Sequence, residues 1–420
     1  MAKKVEVPDM EKFFNRKLTG YSCGYGLIDR VSGVPGILFP NGVAVELYGQ
    51  KSSGKTTLVL ETIAYNQIIN PDFRVLYMDY EKMLRQEIPY LNSLGIQATA
   101  DKINIQEPET AEDGMNYMIN ALRNDDYDMM VVDTVAAMCP RAELENKMGD
   151  SKQMGLRAKL MNEFLRKFFA VCGPDGPALI FLNQQYKDMN SMSYVQTYHT
   201  PSSDGLGYYA GIKIQVKEKS KLKRDIVDPY TFEKIPQPYG SVIEIKTDKN
   251  KVGRPFISTK YFISYGKGID IIPSLVNAAI AKKVIRYKGN SKAVHLFEDA
   301  DGNEKQVNGY AKVLDYFAEN LDDLVHVGSQ INELWAADMV HLKERLSAKH
   351  PLQDSMFEDM YSDNDVDLDL QSGIQDGLKS IMADSGDREL PETVASVSFD
   401  GDSDLLDPAG GSDGDGLKLL

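Results

Sequence analysis

A glycine-rich octapeptide has the residue spacing of a phosphate-binding loop. It runs Gly49-Gln50-Lys51-Ser52-Ser53-Gly54-Lys55-Thr56, follows an apolar stretch that predicts a strand, and opens a stretch with helical periodicity. Glycines here let backbone N–H groups turn inward around phosphate oxygens at a helix N-terminus. We expect Lys55 to reach the terminal phosphates of a nucleotide and the Thr56 hydroxyl to bind Mg²⁺. The octapeptide and the adjoining Thr57 therefore predict a nucleotide site.

Acidic and amide side chains end three other predicted strands. Asp133 ends DMMVVD, Asp79 and Glu81 stand at the end of RVLYMDY, and Gln184 ends ALIFLNQ. Open α/β sheets place their ligands at the carboxyl ends of the strands, so these side chains should lie beside the glycine-rich loop. Asp133 is a candidate Mg²⁺ ligand, and the two acids Asp79 and Glu81 are rival candidates for the general base on water. Gln184 is a candidate sensor of the terminal phosphate.

The elements that must position these residues follow from apolar periodicity. Short apolar stretches alternate with amphipathic ones from about residue 41 to residue 184, which predicts βαβ units around a parallel or mixed sheet. After Ile212 three strand-like segments follow one another and predict an antiparallel extension of the same sheet. Beyond residue 270, helical patterns flank a hairpin-like DADGNE turn. We therefore expect an α/β fold with a mixed, mainly parallel sheet.

Four regions are predicted along the chain. Residues 1–33 form a short N-terminal arm, whose apolar residues at helical spacing either pack on the chain's own core or dock on a neighbouring subunit. Residues 34–270 form the nucleotide-binding core, and residues 271–350 a small α+β C-terminal domain. Residues 351–420 are rich in Asp, Ser and Gly, and we expect a disordered acidic tail because they bury too little apolar surface.

The net charge of −15 is concentrated in that tail. Residues 361–420 hold 15 acidic and 3 basic residues, a net charge of −12, which leaves −3 for the first 360 residues. The body can therefore carry a basic groove for nucleic acid. The chain has no apolar run of eighteen residues, no secretory signal, and three cysteines without metal-ligand spacing. We expect a soluble, cytoplasmic protein with no membrane contact.

These motifs together resemble those of the RecA family of homologous-recombination ATPases. GQKSSGKTT, MDYEK, VVDTVAAMCPRAELENKMGDSKQMGL and FLNQ occur in the family's order and at its spacing, and the third is the most diagnostic. The resemblance runs from about residue 17 to residue 268, and more weakly to about residue 346. It implies a RecA-like P-loop core with ATP and Mg²⁺ as cofactors. The chain's length and departures suggest a divergent member, consistent with a phage origin.

The resemblance implies roles for residues around the nucleotide. Glu81 stands where the family keeps its catalytic glutamate, which favours it over its rival carboxylate. Tyr90 corresponds to the tyrosine that stacks on adenine, and Gln184 to the residue that couples ATP to the second DNA loop. Lys249 and Lys251 correspond to paired lysines that reach the neighbouring subunit's ATP, so hydrolysis would depend on assembly. Taken without the resemblance, these lysines are more typical of a basic turn on a solvated strand end.

Two DNA-binding loops are also implied by the resemblance. The first, residues 140–155, would contribute Met154, and the second, residues 186–207, would contribute Met189. An apolar side chain wedged between bases lets a protein stretch a strand without reading its sequence. Basic residues are expected to face the phosphates and give salt-dependent binding: Arg157, Lys159, Arg166 and Lys187.

The second loop departs from the family pattern at several positions. Ser202-Ser203 replace a Gly-Gly pair, Tyr186 replaces a basic residue, and Gly207 replaces a lysine. The segment at residues 217–240 is longer than usual and basic. It either adds a DNA contact or forms a solvated hairpin. These departures bear on loop ordering and subunit contact, while the expected fold is unaffected.

The expected function is that of an ATP-dependent homologous recombinase. Its copies would form a helical filament on single-stranded DNA and exchange strands with double-stranded DNA. Two alternatives share the core: a ring helicase, and an ATP-gated DNA-binding accessory protein with negligible turnover. The acidic tail would compete with DNA for the basic groove, dock single-strand-binding or loader proteins, or only increase solubility.

Overall fold

The computed structural model describes residues 18–124, 126–147, 155–173, 175–187, 198–200, 203–227, 234–289 and 293–331. The predicted tail, residues 1–17 of the predicted arm, and the end of the predicted C-terminal domain lie outside these ranges. Met154 and Met189 lie outside them as well.

Strands and helices alternate through the first half of the described chain. The strands, in chain order, are β1 (Gly20–Tyr21), β2 (Phe39–Pro40), β3 (Ala44–Gly49), β4 (Val75–Asp79), β5 (Ile103–Gln106), β6 (Met129–Asp133), β7 (Ala178–Gln184), β8 (Tyr186–Lys187), β9 (Tyr198–His199), β10 (Ile212–Val227), β11 (Lys234–Asn250), β12 (Ser258–Ser264), β13 (Gly268–Asp270), β14 (Arg286–Tyr287), β15 (Val294–Glu298) and β16 (Glu304–Asn308). The α-helices are α1 (Gly26–Asp29), α2 (Lys55–Ile69), α3 (Ile88–Ser93), α4 (Ala111–Asn124), α5 (Arg141–Glu145), α6 (Leu156–Val171), α7 (Ser203–Tyr209), α8 (Ile271–Ala281) and α9 (Tyr310–Glu319). Residues 321–331 are also helical. Within the described residues, no helix is long and apolar enough to cross a bilayer.

A mixed sheet of nine strands, counted over the described residues, forms the centre of the fold. Its order is β13-β12-β11-β10-β3-β7-β6-β4-β5. From β10 to β5 every neighbouring pair is parallel, whereas β11, β12 and β13 are joined by antiparallel pairing. The prediction of a mixed, mainly parallel sheet is confirmed.

The antiparallel extension begins one strand later than predicted. β10 pairs parallel with β3 over Ile212–Gln215, and only its partner β11 reverses direction. The physical reason lies in the connections. β10 is reached from the nucleotide end of the sheet through helix α7, which returns the chain to the start of β3, whereas each later strand of the sheet begins within eight residues of the end of the one before it.

Apolar side chains on both faces of the parallel strands hold the sheet between two helical layers. On β7, Ile180 and Leu182 face one buried cluster, while Leu179 and Phe181 face the other. Helix α2 packs in the first cluster, and helices α4 and α6 pack in the second. Full burial of such a side chain contributes roughly 1.5–3 kcal/mol. Burial on both faces explains why these strands are continuous apolar runs.

Residues near both ends of the described chain pack in the first apolar cluster of the core. Ile28 and Val31, within the predicted arm, are fully buried there. Phe297 and Phe317 bring the C-terminal strands and helix α9 into the same cluster. The DADGNE sequence turns between β15 and β16, and Asp299 accepts the backbone N–H of Asn303 at 2.7 Å. An oligomerisation role for the arm stays a prediction.

A half-buried carboxylate lies where helix α2 meets β13. Glu61 Oε1 accepts the backbone N–H of Ile269 at 2.6 Å. Burial raises the pKa of the Glu61 carboxyl to about 7, and this hydrogen bond only partly opposes the increase. The folded chain therefore favours the protonated carboxyl, and its stability falls as pH rises from the unfolded pKa toward the folded one.

We predict that Glu61→Gln stabilises the protein at pH 8 and has little effect near pH 4. Glutamine keeps the oxygen acceptor but cannot ionise, so it avoids a cost of roughly 3 kcal/mol that develops between pH 4.5 and 7. Urea unfolding midpoints of the two proteins at pH values from 4 to 8 measure the difference. The control, Glu319→Gln on the exposed side of helix α9, should leave the midpoint unchanged. Equal effects of Glu61→Gln at pH 4 and pH 8 would contradict the assignment.

Candidate nucleotide site

Two glycines allow the glycine-rich loop to turn tightly between β3 and helix α2. A Cβ atom on Gly49 would lie 2.0 Å from the carbonyl oxygen of Val216. Gly54 has φ +87°, a left-handed conformation that side chains disfavour, and a Cβ there would lie 2.6 Å from Ile263 Cδ1. Helix α2 begins at the next residue, Lys55. The loop therefore has the shape and the helix N-terminus predicted for a phosphate site; its side chains are exposed at Gln50, Lys51 and Ser52, and buried at Ser53.

The ammonium group of Lys55 is held inside this loop. Its side chain is almost fully buried, and Nζ donates to the carbonyl oxygen of Gln50 at 2.9 Å and to that of Gly49 at 3.3 Å. Burial lowers the pKa of Lys55 to about 8, against the opposing effect of the Asp133 and Glu81 charges. A poorly hydrated cation among inward-facing backbone groups is suited to bind a phosphate.

Two oxygen ligands of the kind that Mg²⁺ prefers lie together beside Lys55. Thr56 Oγ1 donates to Asp133 Oδ2 at 3.1 Å, and Tyr77 Oη donates to the same oxygen at 2.5 Å. Burial raises the pKa of Asp133 to about 6, and the hydrogen bond from Tyr77 partly offsets this. The structure therefore brings together the two predicted metal ligands, and their chemistry fits a magnesium ion. The contribution of Tyr77 was not predicted, because a tyrosine inside an apolar strand is ordinary core material.

Glu81 and Gln184, from different strand ends, are in direct contact. Glu81 Oε1 accepts a hydrogen bond from Gln184 Nε2 at 3.0 Å and another from Thr134 Oγ1 at 3.0 Å. Tyr186 Oη donates to Gln184 Oε1 at 3.0 Å, so both ends of the amide are bonded. Thr134 and Tyr186 were missed as partners, although each lies within two residues of a predicted site residue. Only the folded arrangement reveals these contacts.

The two rival carboxylates have different environments. Asp79 is 3% exposed and accepts the backbone N–H groups of Lys82 and Leu84, both at 2.8 Å. Both of its oxygens are therefore used to shape the turn after β4, and burial raises its pKa. Glu81 is exposed at the edge of the site. The geometry favours Glu81 as the carboxylate available to a water molecule.

Tyr90 lies beside the start of helix α2. Its hydroxyl donates to Thr57 Oγ1 at 3.3 Å. Ser93 Oγ, one turn further on helix α3, donates to the carbonyl oxygens of Tyr90 and Gly266 at 2.8 and 3.0 Å. The turn between β12 and β13 is thereby tied to the Tyr90 helix, and Tyr265 on that turn is half exposed. Stacking of a base on Tyr90 stays a prediction.

Lys249 and Lys251 lie away from the glycine-rich loop along the sheet: Lys249 is aligned with Glu46 of β3 through Lys213, and Lys251 follows the last residue of β11. Lys249 Nζ donates to the carbonyl oxygens of Gly207 and Tyr208 at 2.7 and 3.1 Å, and Lys251 Nζ donates to that of Tyr208 at 3.3 Å. Burial lowers the pKa of Lys249, and the nearby positive charges of Lys251 and Lys213 add to the effect. Glu46 is three residues, roughly 10 Å, from Gly49 along β3. The structure therefore does not bring this pair to the nucleotide loop of the same subunit.

The predicted phosphate-facing residues differ in their surroundings. Arg157 donates to the carbonyl oxygen of Ala136 at 3.1 Å and lies 3.6 Å from Glu143, so its guanidinium contacts the protein itself. Lys159 and Arg166 are exposed on helix α6. Lys187 pairs with Tyr198 through the backbone in the β8–β9 ladder. Phosphate binding by these residues stays a prediction.

Comparison with known proteins places the chain in a family. The family model of the RecA N-terminal domain matches residues 6–270. Protein RecA of Deinococcus radiodurans is 33% identical over 301 residues, covering 71% of this chain and 75% of that protein. Protein RecA of Gloeobacter violaceus is 31% identical over 294 residues, covering 70% and 73%. A crystal structure of the RadB recombinase aligns with 59% of this chain and 98% of its own, at 18% identity and a TM-score of 0.41. The matched domain contains the nucleotide loop, Glu81, Gln184 and the lysine pair, and the chain belongs to the RecA family.

Proposed function

We propose that the protein is an ATP-dependent homologous recombinase. In this proposal it binds ATP and Mg²⁺ between adjacent copies, forms a helical filament on single-stranded DNA, and exchanges strands with double-stranded DNA. The observation that carries the proposal is the contact between Glu81 and Gln184. It joins a candidate base for hydrolysis to the strand end from which the second predicted DNA loop departs. Membership of the RecA family supports the same assignment.

The nucleotide would be held by the glycine-rich loop and helix α2. Lys55 would donate to the terminal phosphates, and backbone N–H groups of residues 50–54 would surround the others. Thr56 and Asp133 would hold the metal through their paired oxygens, and Tyr90 would stack on adenine. When bound, Mg²⁺ neutralises charge on phosphate oxygens.

Glu81 would take a proton from the attacking water. Its carboxylate is exposed, in contrast to that of Asp79, and two hydrogen bonds orient it. Because Gln184 contacts Glu81 directly, a change at the terminal phosphate that moves this amide also moves the base. The amide is in turn bonded to Tyr186, the first residue of β8. This provides a short path between the nucleotide and the β8–β9 pair.

Assembly would complete the site in trans. Lys249 and Lys251 lie away from their own nucleotide loop, as residues that serve a neighbour's nucleotide should. Added positive charge near the leaving phosphate is the logic of an arginine finger. DNA would bind through the two predicted loops and the exposed Lys159 and Arg166, in a salt-dependent and sequence-tolerant manner.

We expect ATP hydrolysis to rise with both single-stranded DNA and protein concentration, because the site is complete only between subunits. Lys55→Ala should abolish turnover under all conditions, since it removes the cation on the terminal phosphates. Lys312→Ala, an exposed lysine on helix α9, is the matched control and should behave as wild type. ATP turnover that does not change with DNA or protein concentration would be consistent with the proposed nucleotide site but would reject the recombinase function. Hydrolysis coupled to one-directional movement along DNA would favour the ring helicase.

Glu81→Gln should separate nucleotide binding from hydrolysis. The amide keeps the size of the side chain but cannot accept a proton, so turnover should fall by about 10²–10⁴-fold while ATP still supports DNA binding. Glu87→Gln, a nearby carboxylate without a proposed role, should hydrolyse ATP normally. Measurements of phosphate release and of DNA binding with ATP test both variants. Undiminished turnover in Glu81→Gln would remove it as the base, and normal strand exchange without turnover would favour the binding-protein alternative.

Mixing two inactive variants should partly restore hydrolysis. Lys55→Ala has an intact lysine pair, and Lys251→Ala has an intact nucleotide loop. In a random one-to-one assembly, about a quarter of the head-to-tail interfaces combine the intact half of each variant. DNA-stimulated turnover of the mixture should therefore exceed that of either variant alone. No gain on mixing, with both variants retaining DNA binding, would contradict the trans arrangement.

A further inference from the structure

Glu46 is a buried carboxylate to which the proposed chemistry assigns no role. It lies on β3, is 0% exposed, and accepts a hydrogen bond from Asn183 Nδ2 at 2.9 Å through Oε1. Its other oxygen, Oε2, lies 3.2 Å from Lys213 Nζ on β10. Burial of a carboxylate is costly unless it is paired and hydrogen-bonded. The positions of Asn183 and Lys213 therefore indicate the role of the Glu46 carboxylate.

Asn183 connects Glu46 to the nucleotide end of the sheet. This asparagine is also fully buried, and its Oδ1 accepts the backbone N–H of Gln184 at 3.0 Å. The side chain of Gln184 then donates to Glu81. A continuous series of hydrogen bonds thus runs from Glu46 to the candidate base.

Lys213 connects Glu46 to the lysine pair. The strand register places Glu46 opposite Lys213, and Lys213 opposite Lys249, so the three side chains share one row across the sheet. Lys213 Nζ also lies 4.7 Å from the ring centre of Tyr48. Lys249 and Lys251 are both bonded to the carbonyl oxygen of Tyr208. Three ammonium groups are therefore gathered here, and Glu46 is the buried carboxylate that faces them.

We propose that Glu46 is a positioning residue that couples Gln184 to the Lys249–Lys251 pair. The inference rests on the proposed function, in which Gln184 contacts the subunit's own ATP and the lysines contact the neighbour's. Displacement of Gln184 pulls on Asn183 and so on the Glu46 carboxylate. A shifted carboxylate neutralises the charge of Lys213 to a different extent. The electrostatic repulsion between Lys213 and Lys249 therefore changes as well. Hydrolysis at one site thereby responds to the nucleotide at the next.

Glu46→Gln tests this coupling directly. Glutamine keeps the shape of the side chain and an oxygen for Asn183, but removes the charge opposite Lys213. We expect DNA-stimulated turnover to fall on the order of tenfold, which corresponds to about 1.4 kcal/mol. The Hill coefficient for ATP should fall toward one, while the affinity for a fluorescent ATP analogue stays within about twofold. A residue that only supports the fold would instead lower affinity and the thermal midpoint together.

Two further variants keep the test decisive. Glu244 on β11 lies 3.1 Å from Lys219 Nζ, in an ion pair outside this network. Glu244→Gln removes that ion pair and should leave the Hill coefficient unchanged. Lys213→Gln removes the partner of Glu46 from a side chain that is 21% exposed, and should reproduce the loss of cooperativity. It replaces Glu46→Gln as the deciding variant if that protein does not fold. The double variant should lose less than the sum of the two losses, because each removes the same interaction.

The outcomes separate this inference from the function on which it rests. One outcome is that DNA stimulates turnover of the wild type and that Glu46→Gln and Lys213→Gln keep the wild-type turnover and Hill coefficient. This outcome would overturn the coupling and leave the proposed recombinase function intact. Wild type that DNA does not stimulate would overturn both. Loss of cooperativity in both variants, with nucleotide affinity kept and Glu244→Gln unaffected, is the result expected.

Discussion

The register of the parallel strands is the constraint on which the site depends. Gly49 is aligned with Gln184, and Asp79 with Asp133, so the apolar runs of neighbouring strands end at the same level. Both faces of these strands are mainly apolar, so the alternation of side chains cannot select a register without help. The polar ends supply it, because a slip would draw a carboxylate into the apolar layers without its partners. The constraint that fixes the fold thus also assembles the site.

Burial shifts the pKa values of the two central charged groups of the site, Lys55 and Asp133. The same removal of water lowers the pKa of the Lys55 ammonium and raises that of the Asp133 carboxyl. In such surroundings the field of each group reaches further than it would in water. A nucleotide phosphate and its metal would restore the missing counter-charges in one event. Binding of a phosphate by Lys55 and of a metal ion by Asp133 would therefore offset part of the cost of burying these two charges.

Residue types and spacing predicted the local parts of this structure well. The nucleotide loop follows from its glycine spacing, and four strands of the sheet from short apolar runs that end in polar residues. The contacts between those ends did not follow, because Thr134 and Tyr186 meet their partners only through the sheet. The choice of Glu81 over Asp79 needed a family resemblance at first, and is supported physically by backbone N–H groups that occupy Asp79. Glu46 gave no signal, since one acid within a strand is usually solvated.

The hairpin of β10 and β11 continues past the sheet as a two-stranded ribbon. Within the described residues, β10 pairs with β3 only as far as Gln215, and β11 pairs with β12 only from Gly240 onward. In the ribbon, β10 contains Lys221 and Lys223, and β11 contains Pro236 and Pro238. Lysines resist close approach of another edge, and prolines cannot donate to one. These residues therefore disfavour edge-to-edge pairing between two molecules at the ribbon, which reduces its tendency to aggregate through its unpaired backbone groups.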